Sequence, residues 1–105
     1  MALAQAYPGL KLVLSHLGGG TFLYEAMPEV RAILADVAYD TAAIPYLYSP
    51  RIYEVAAAAV GAHKLLFGSD YPLLDPVRCA EGIDRLSVEE QESVLAGNAR
   101  RIFGL

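Results

Sequence analysis

The chain has 105 residues, enough for one small domain over residues 1–105, and 12 acidic against 8 basic side chains give a formal net charge of −4. That balance leaves no basic surface for a nucleic acid, and the single cysteine, Cys79, excludes an internal disulfide and fits a reducing, cytoplasmic setting. The apolar stretches are too short or too interrupted to span a membrane, and the opening MALAQAYPGLK lacks the basic-then-apolar order of a secretion signal.

In chain order, the first residues form a helix that Tyr7-Pro8-Gly9 ends, and the run Leu12–Leu14 follows as a first strand. Residues 21–35 are helix-compatible on either side of Pro28, which breaks or restarts the helix. Val37–Tyr39 is a second apolar strand. Ser49 is a fair N-cap with Pro50 at the first helical position, and the helix through RIYEVAAAAV stops at Gly61, a natural left-handed residue. Leu65–Phe67 is the third strand. Ser87 and Glu90 in SVEE form a capping box for a helix that Gly97 closes, and Asn98 caps one more short helix, ARRIFG. The order α-β-α-β-α-β-α-α, with each strand short and apolar, predicts an α/β fold with a three-stranded parallel sheet and right-handed crossovers.

Composition adds one expectation. Hydrophobic residues make up 55% and charged residues 19%, against a usual charged share of about 25%. A small domain has proportionally more surface to cover, so this chain is greasy for its size. Three strands alone also leave two open sheet edges. Both features predict a homo-oligomer or a larger assembly that covers those faces.

Functional groups in parallel α/β folds gather where strands end. The three strands here run into Ser15-His16, Asp40-Thr41 and Ser69-Asp70. His16 in SHLGGG can ligate a metal or move a proton, and Gly18–Gly20 let the backbone turn sharply; it can equally be a buried histidine bonded to a carbonyl. Asp70 in LLFGSDYP can bind a metal or take a proton from metal-bound water, or serve as a turn or capping aspartate. Asp40 with Thr41 divides between an Asx-turn and a substrate contact. His63 lies before the third strand, at the opposite end from Asp70, and reads as structural. The glycine run matches neither a P-loop nor a dinucleotide fingerprint, and a phosphate cradle there is only weakly indicated.

Taken together, LKLVLSHLGGG, VAYDTAA, KLLFGSDYPLL and GNARRIFGL resemble the C-terminal part of the amidohydrolase-related metal-dependent hydrolases, the family that includes aminocarboxymuconate-semialdehyde decarboxylase and decarboxylases of aromatic acids. The resemblance implies a partial (β/α)8 TIM barrel comprising the last three β-α units, with His16 ending the sixth strand and Asp70 the eighth. It implies that His16 is a metal ligand or the base acting on metal-bound water, and that Asp70 binds the metal, usually zinc, and shuttles a proton. Asp40-Thr41 then lies at the rim of the seventh strand. The family's His-x-His pair on the first strand and its fifth-strand histidine have no counterpart here. A zinc site takes three or four protein ligands, so the chain alone is expected to be inactive. The expected function is therefore the C-terminal portion of a zinc-dependent hydrolase or decarboxylase of a small organic acid or lactone, completed by a complementary barrel fragment. The alternative is a non-catalytic oligomerising module derived from a truncated barrel.

Overall fold

The computed structural model describes residues 2–7, 9–69 and 71–104. Helix α1 (Ala2–Ala6) leads into strand β1 (Leu12–Leu14), and a tightly wound segment, Ser15–Ala26, joins it to α2 (Pro28–Ile33). Strand β2 (Val37–Asp40), helices α3 (Ile44–Leu47) and α4 (Ile52–Val60) and strand β3 (Leu65–Leu66) follow. The chain ends in α5 (Pro76–Cys79), α6 (Val88–Glu92), a π-turn at Ser93–Gly97, and α7 (Asn98–Phe103). The three strands are parallel in the order β1-β2-β3, with Val13 opposite Ala38 and Tyr39 opposite Leu65. Their positions match the three apolar runs of the sequence, although β3 is one residue shorter than expected.

Side chains alternate across a strand, so Val37, Tyr39 and Leu65 share one face of the sheet and Val13 and Ala38 the other. The main core lies on the first face, where Leu17, Phe22, Leu34, Ile44, Tyr53, Val60 and Val94 pack against the strands. On the second face Val13 is 36% exposed, the position most open to a further layer. Within the core, Phe22 meets Tyr48 edge to face at 6.4 Å, a favoured ring geometry. The Tyr53 hydroxyl donates to the Cys79 carbonyl at 2.6 Å, tying α4 to α5, and burial pushes its pKa up.

The capping box forms as expected: the Ser87 hydroxyl accepts from the Glu90 N–H at 3.2 Å, and the Glu90 carboxylate accepts from the Ser87 N–H at 3.0 Å. Three other local expectations are corrected. Pro50 and Arg51 form a turn, α4 starts at Ile52, and the Ser49 side chain makes no cap bond. Gly61 does take a positive φ, 90°, but its ψ of 139° is extended rather than left-handed helical. Gly97 does not close its helix: at φ −58°, ψ −42° it carries the chain from the π-turn straight into α7, which ends at Gly104 in the left-handed region.

The reason is tertiary. Asn98, expected as a cap, is buried, and its amide donates to the carbonyls of Ala62 and Leu65 at 2.7 and 2.9 Å. In the adjoining π-turn the Val94 carbonyl accepts from the Phe67 N–H at 3.0 Å, just past β3. The helix thereby covers part of the outer side of β3, one of the two edges expected to be open.

A buried polar cluster ties the strands to the segment after β1. Lys64, just before β3, donates to both carboxylate oxygens of Glu25 at 2.8 Å and to the Leu34 carbonyl at 2.8 Å. The Tyr39 hydroxyl donates to Glu25 Oε2 at 2.5 Å, and the Lys64 ammonium lies 5.5 Å from the Tyr39 ring centre. Burial, reinforced by the Glu25 carboxylate, pushes the Tyr39 pKa strongly upward. No buried side-chain nitrogen or oxygen among the described residues lacks a hydrogen-bond partner, so the cluster is fully satisfied.

The accessible surface is 6246 Å², against about 5,700 Å² for a folded monomer of this mass. The excess is modest, so the chain buries its own core on one face of the sheet.

Candidate functional site at the carboxyl ends of the strands

Each strand delivers its first polar residues to one end of the sheet. Leu14 is the last residue of β1, and from His16 the backbone turns left-handed for five residues, with φ of 40° at His16, 60° at Leu17 and 67°, 60° and 99° at Gly18, Gly19 and Gly20. Glycine takes such values freely, whereas each L-residue with a Cβ costs about 1–2 kcal/mol there. Leu17 offsets its strain by complete burial in the core. The exposed His16 has no such compensation. The Thr21 hydroxyl donates to the Gly18 carbonyl at 2.7 Å and fixes the far side of the turn.

Asp40 holds the near side. Its Oδ1 accepts from the His16 N–H at 3.0 Å and from the Ala42 N–H at 3.1 Å, and its Oδ2 accepts from the Ser15 hydroxyl at 3.1 Å. The bond to Ala42 is an Asx-turn, one of the two roles the sequence left open. The other two bonds run across the sheet to the end of β1. Thr41 is buried, and its hydroxyl oxygen accepts from the Gly68 N–H at 3.1 Å while its own N–H donates to the Leu66 carbonyl at 2.9 Å. These bonds link the residue after β2 to the end of β3 and to the loop that follows it.

The structure thus brings Ser15, His16, Asp40 and Thr41 together. Asp70 lies outside the described residues. His63 sits at the other end of the sheet, as expected, and its carbonyl accepts from the Arg101 guanidinium at 2.6 Å. Burial, and then the charges of Arg101, Lys64 and Arg31, hold its imidazole below the ordinary histidine value. The role of Ser15 was not anticipated; a strand-end hydroxyl one register across from an aspartate is the signal that would have found it. The Glu25–Lys64 pair is separated by 39 residues and has no local signal at all.

A divalent metal needs several converging ligands. Among the described residues no group of three His, Cys, Asp or Glu side chains is placed to hold one. His16 is the imidazole available at this end, and Asp40 is already committed to three donors. These described residues alone do not fit a complete metal centre.

A parallel three-stranded sheet with polar residues at its carboxyl edge defines an α/β protein. The chain belongs to the amidohydrolase family, whose model matches residues 2–105. Among solved structures it is similar to a dihydroxybenzoic acid decarboxylase from Polaromonas sp. JS666 with bound manganese and the inhibitor 2-nitroresorcinol (TM-score 0.78, 20% identity, 98% of this chain and 36% of that one). It is similar to 5-carboxyvanillate decarboxylase from Sphingomonas paucimobilis (TM-score 0.75, 19% identity, 98% and 36%). It also resembles an amidohydrolase from Burkholderia multivorans with bound zinc (TM-score 0.69, 22% identity, 99% and 47%). The chain therefore spans about a third to a half of the length of these structures. A search of curated proteins found no match. No helix among the described residues is long and apolar enough to cross a membrane.

Proposed function

We propose that this chain forms the last three β-α units of an amidohydrolase-type barrel and presents His16 and Asp70 to a divalent metal, zinc or manganese, in a hydrolase or decarboxylase of a small organic acid. The observation that carries the reading is His16 itself. A non-glycine residue at φ 40°, exposed and pinned through its N–H by Asp40, holds backbone strain that packing does not repay. Such strain concentrates at functional sites. The metals bound in the Polaromonas and Burkholderia structures support a divalent ion, and the decarboxylase relatives support an acidic substrate.

The remaining ligands come from further strands, in the same polypeptide or a partner, that continue the sheet beyond β1. The exposure of Val13, Tyr46, Leu47, Tyr71 and Leu73 supports a covering layer. On this reading the chain by itself is inactive. The test is elemental analysis of the complete barrel, this chain together with the strands that finish the site. The expected result is bound divalent metal that His16→Asn and Asp70→Asn each reduce. Metal retained in full by both variants overturns the reading.

A further inference from the structure

The amino end of the sheet, away from His16, carries a concave site. A cavity of about 340 Å³ opens between the turn before β1, the start of β2, the residues before β3 and the end of α7. That volume lies at the lower end of the range for small-molecule sites, about 300–1,000 Å³. Leu10, Val37, Ala38 and Ile102 give it apolar walls. Lys11 and Arg101 supply cations, and Asp36 the one carboxylate among its lining residues.

Main-chain acceptors hold both cations in place. Lys11 Nζ donates to the Ile102 carbonyl at 2.6 Å, and one terminal nitrogen of Arg101 donates to the His63 carbonyl at 2.6 Å. Each bond fixes a charge without neutralising it. The three ion pairs among the described residues involve neither Lys11 nor Arg101 nor Asp36. Two ammonium protons and most of the guanidinium fork therefore remain available. Lys64, also in the lining, is already neutralised by Glu25. The lowered pKa of His63 reports the same positive surroundings, since after burial its main causes are the charges of Arg101, Lys64 and Arg31.

We propose that this cavity binds a compact organic anion, its carboxylate or phosphate group held by Arg101 and Lys11 and its apolar part resting on Leu10, Val37 and Ala38. The guanidinium fork suits both anions, because each offers two oxygens at its spacing. The chain carries a net charge of −4, so general electrostatic attraction cannot account for such binding. Local placement of the two cations must do so.

The site is tested by calorimetric titration of the chain with inorganic phosphate and, separately, with butyrate at low ionic strength. Saturable binding is expected for at least one probe, with preference for phosphate or for butyrate identifying the anionic group. Lys11→Glu and Arg101→Gln should each raise Kd at least tenfold, while Arg101→Lys, which keeps the charge, should recover part of the loss. His16→Asn, at the other end of the sheet, should leave Kd unchanged, so that failure here is distinct from failure of the metal reading. No saturable binding of either probe overturns the proposal. So does binding that Lys11→Glu leaves unaltered, a substitution at an exposed residue that tests the site without depending on Arg101.

Discussion

Replacing Lys64 with methionine tests whether the buried cluster between sheet and helices organises the fold. Lys64 and Glu25 are 7% and 1% exposed at their side chains, and the ammonium bonds both carboxylate oxygens at 2.8 Å. At that separation and an effective dielectric near 20, the attraction is about 6 kcal/mol. Desolvation costs several kcal/mol per ion, so the net worth of the intact pair is small. Removing one partner is different. A carboxylate left in the core without its cation is an uncompensated buried charge, and breaking a buried pair in this way costs about 3–5 kcal/mol. The Leu34 carbonyl also loses its donor, adding about 1 kcal/mol.

Lys64→Met should therefore lose about 4–5 kcal/mol at pH 7. In urea, with a slope near 2 kcal/mol/M, the pH 7 loss moves the midpoint down by about 2 M. Adding Glu25→Gln removes the charge while keeping an acceptor for the Tyr39 hydroxyl, and should restore at least about 2 kcal/mol at pH 7. A loss below about 1 kcal/mol refutes the reasoning.

His16→Gly should relieve about 1–2 kcal/mol of left-handed strain against a glycine entropy cost of about 0.5–1 kcal/mol, so urea unfolding should show stability unchanged or slightly raised; a clear loss would mean that the imidazole has a structural role. Gly82→Ala should abolish folding as followed by circular dichroism, because a Cβ there meets the Pro50 carbonyl oxygen at 2.1 Å at a φ of +95°, whereas Gly104→Ala, with nothing within 4 Å, should cost only about 1–2 kcal/mol. His63 is held below its ordinary value by burial and then by Arg101, Lys64 and Arg31, so the unfolded chain takes up its proton first as pH falls. Stability should therefore decline as pH drops through about 6.5, and His63→Gln should lessen that decline in urea midpoints compared across the range.

What the sequence made legible was what short-range chemistry decides. The three strands read directly because each is a brief apolar run between helix-compatible stretches, and the Ser87–Glu90 box because both its bonds close within three residues. Gly97 misled for the opposite reason. Its residue type permits a stop, but Asn98 reaches the carbonyls of Ala62 and Leu65 and Val94 meets Phe67, and those distant bonds hold the chain helical through it. At the site, the positions of His16 and Asp40 followed from where strands end. Their relation did not, because a side chain gripping the backbone of a strand 24 residues away leaves no periodic trace.

That relation separates the work of the two residues. A carboxylate offers about four lone-pair sites, and Asp40 uses three of them on Ser15, His16 and Ala42. A group so occupied is poorly placed to bind a metal or accept a substrate proton as well. It acts instead on the backbone, setting where β1 ends and holding His16 at a φ it would otherwise leave. Among the described residues no hydrogen bond at this end uses the His16 imidazole, and the residue is exposed. Asp40 thus bears the structural task at the end of β2, and the imidazole beside it is left for chemistry that the described residues do not complete alone.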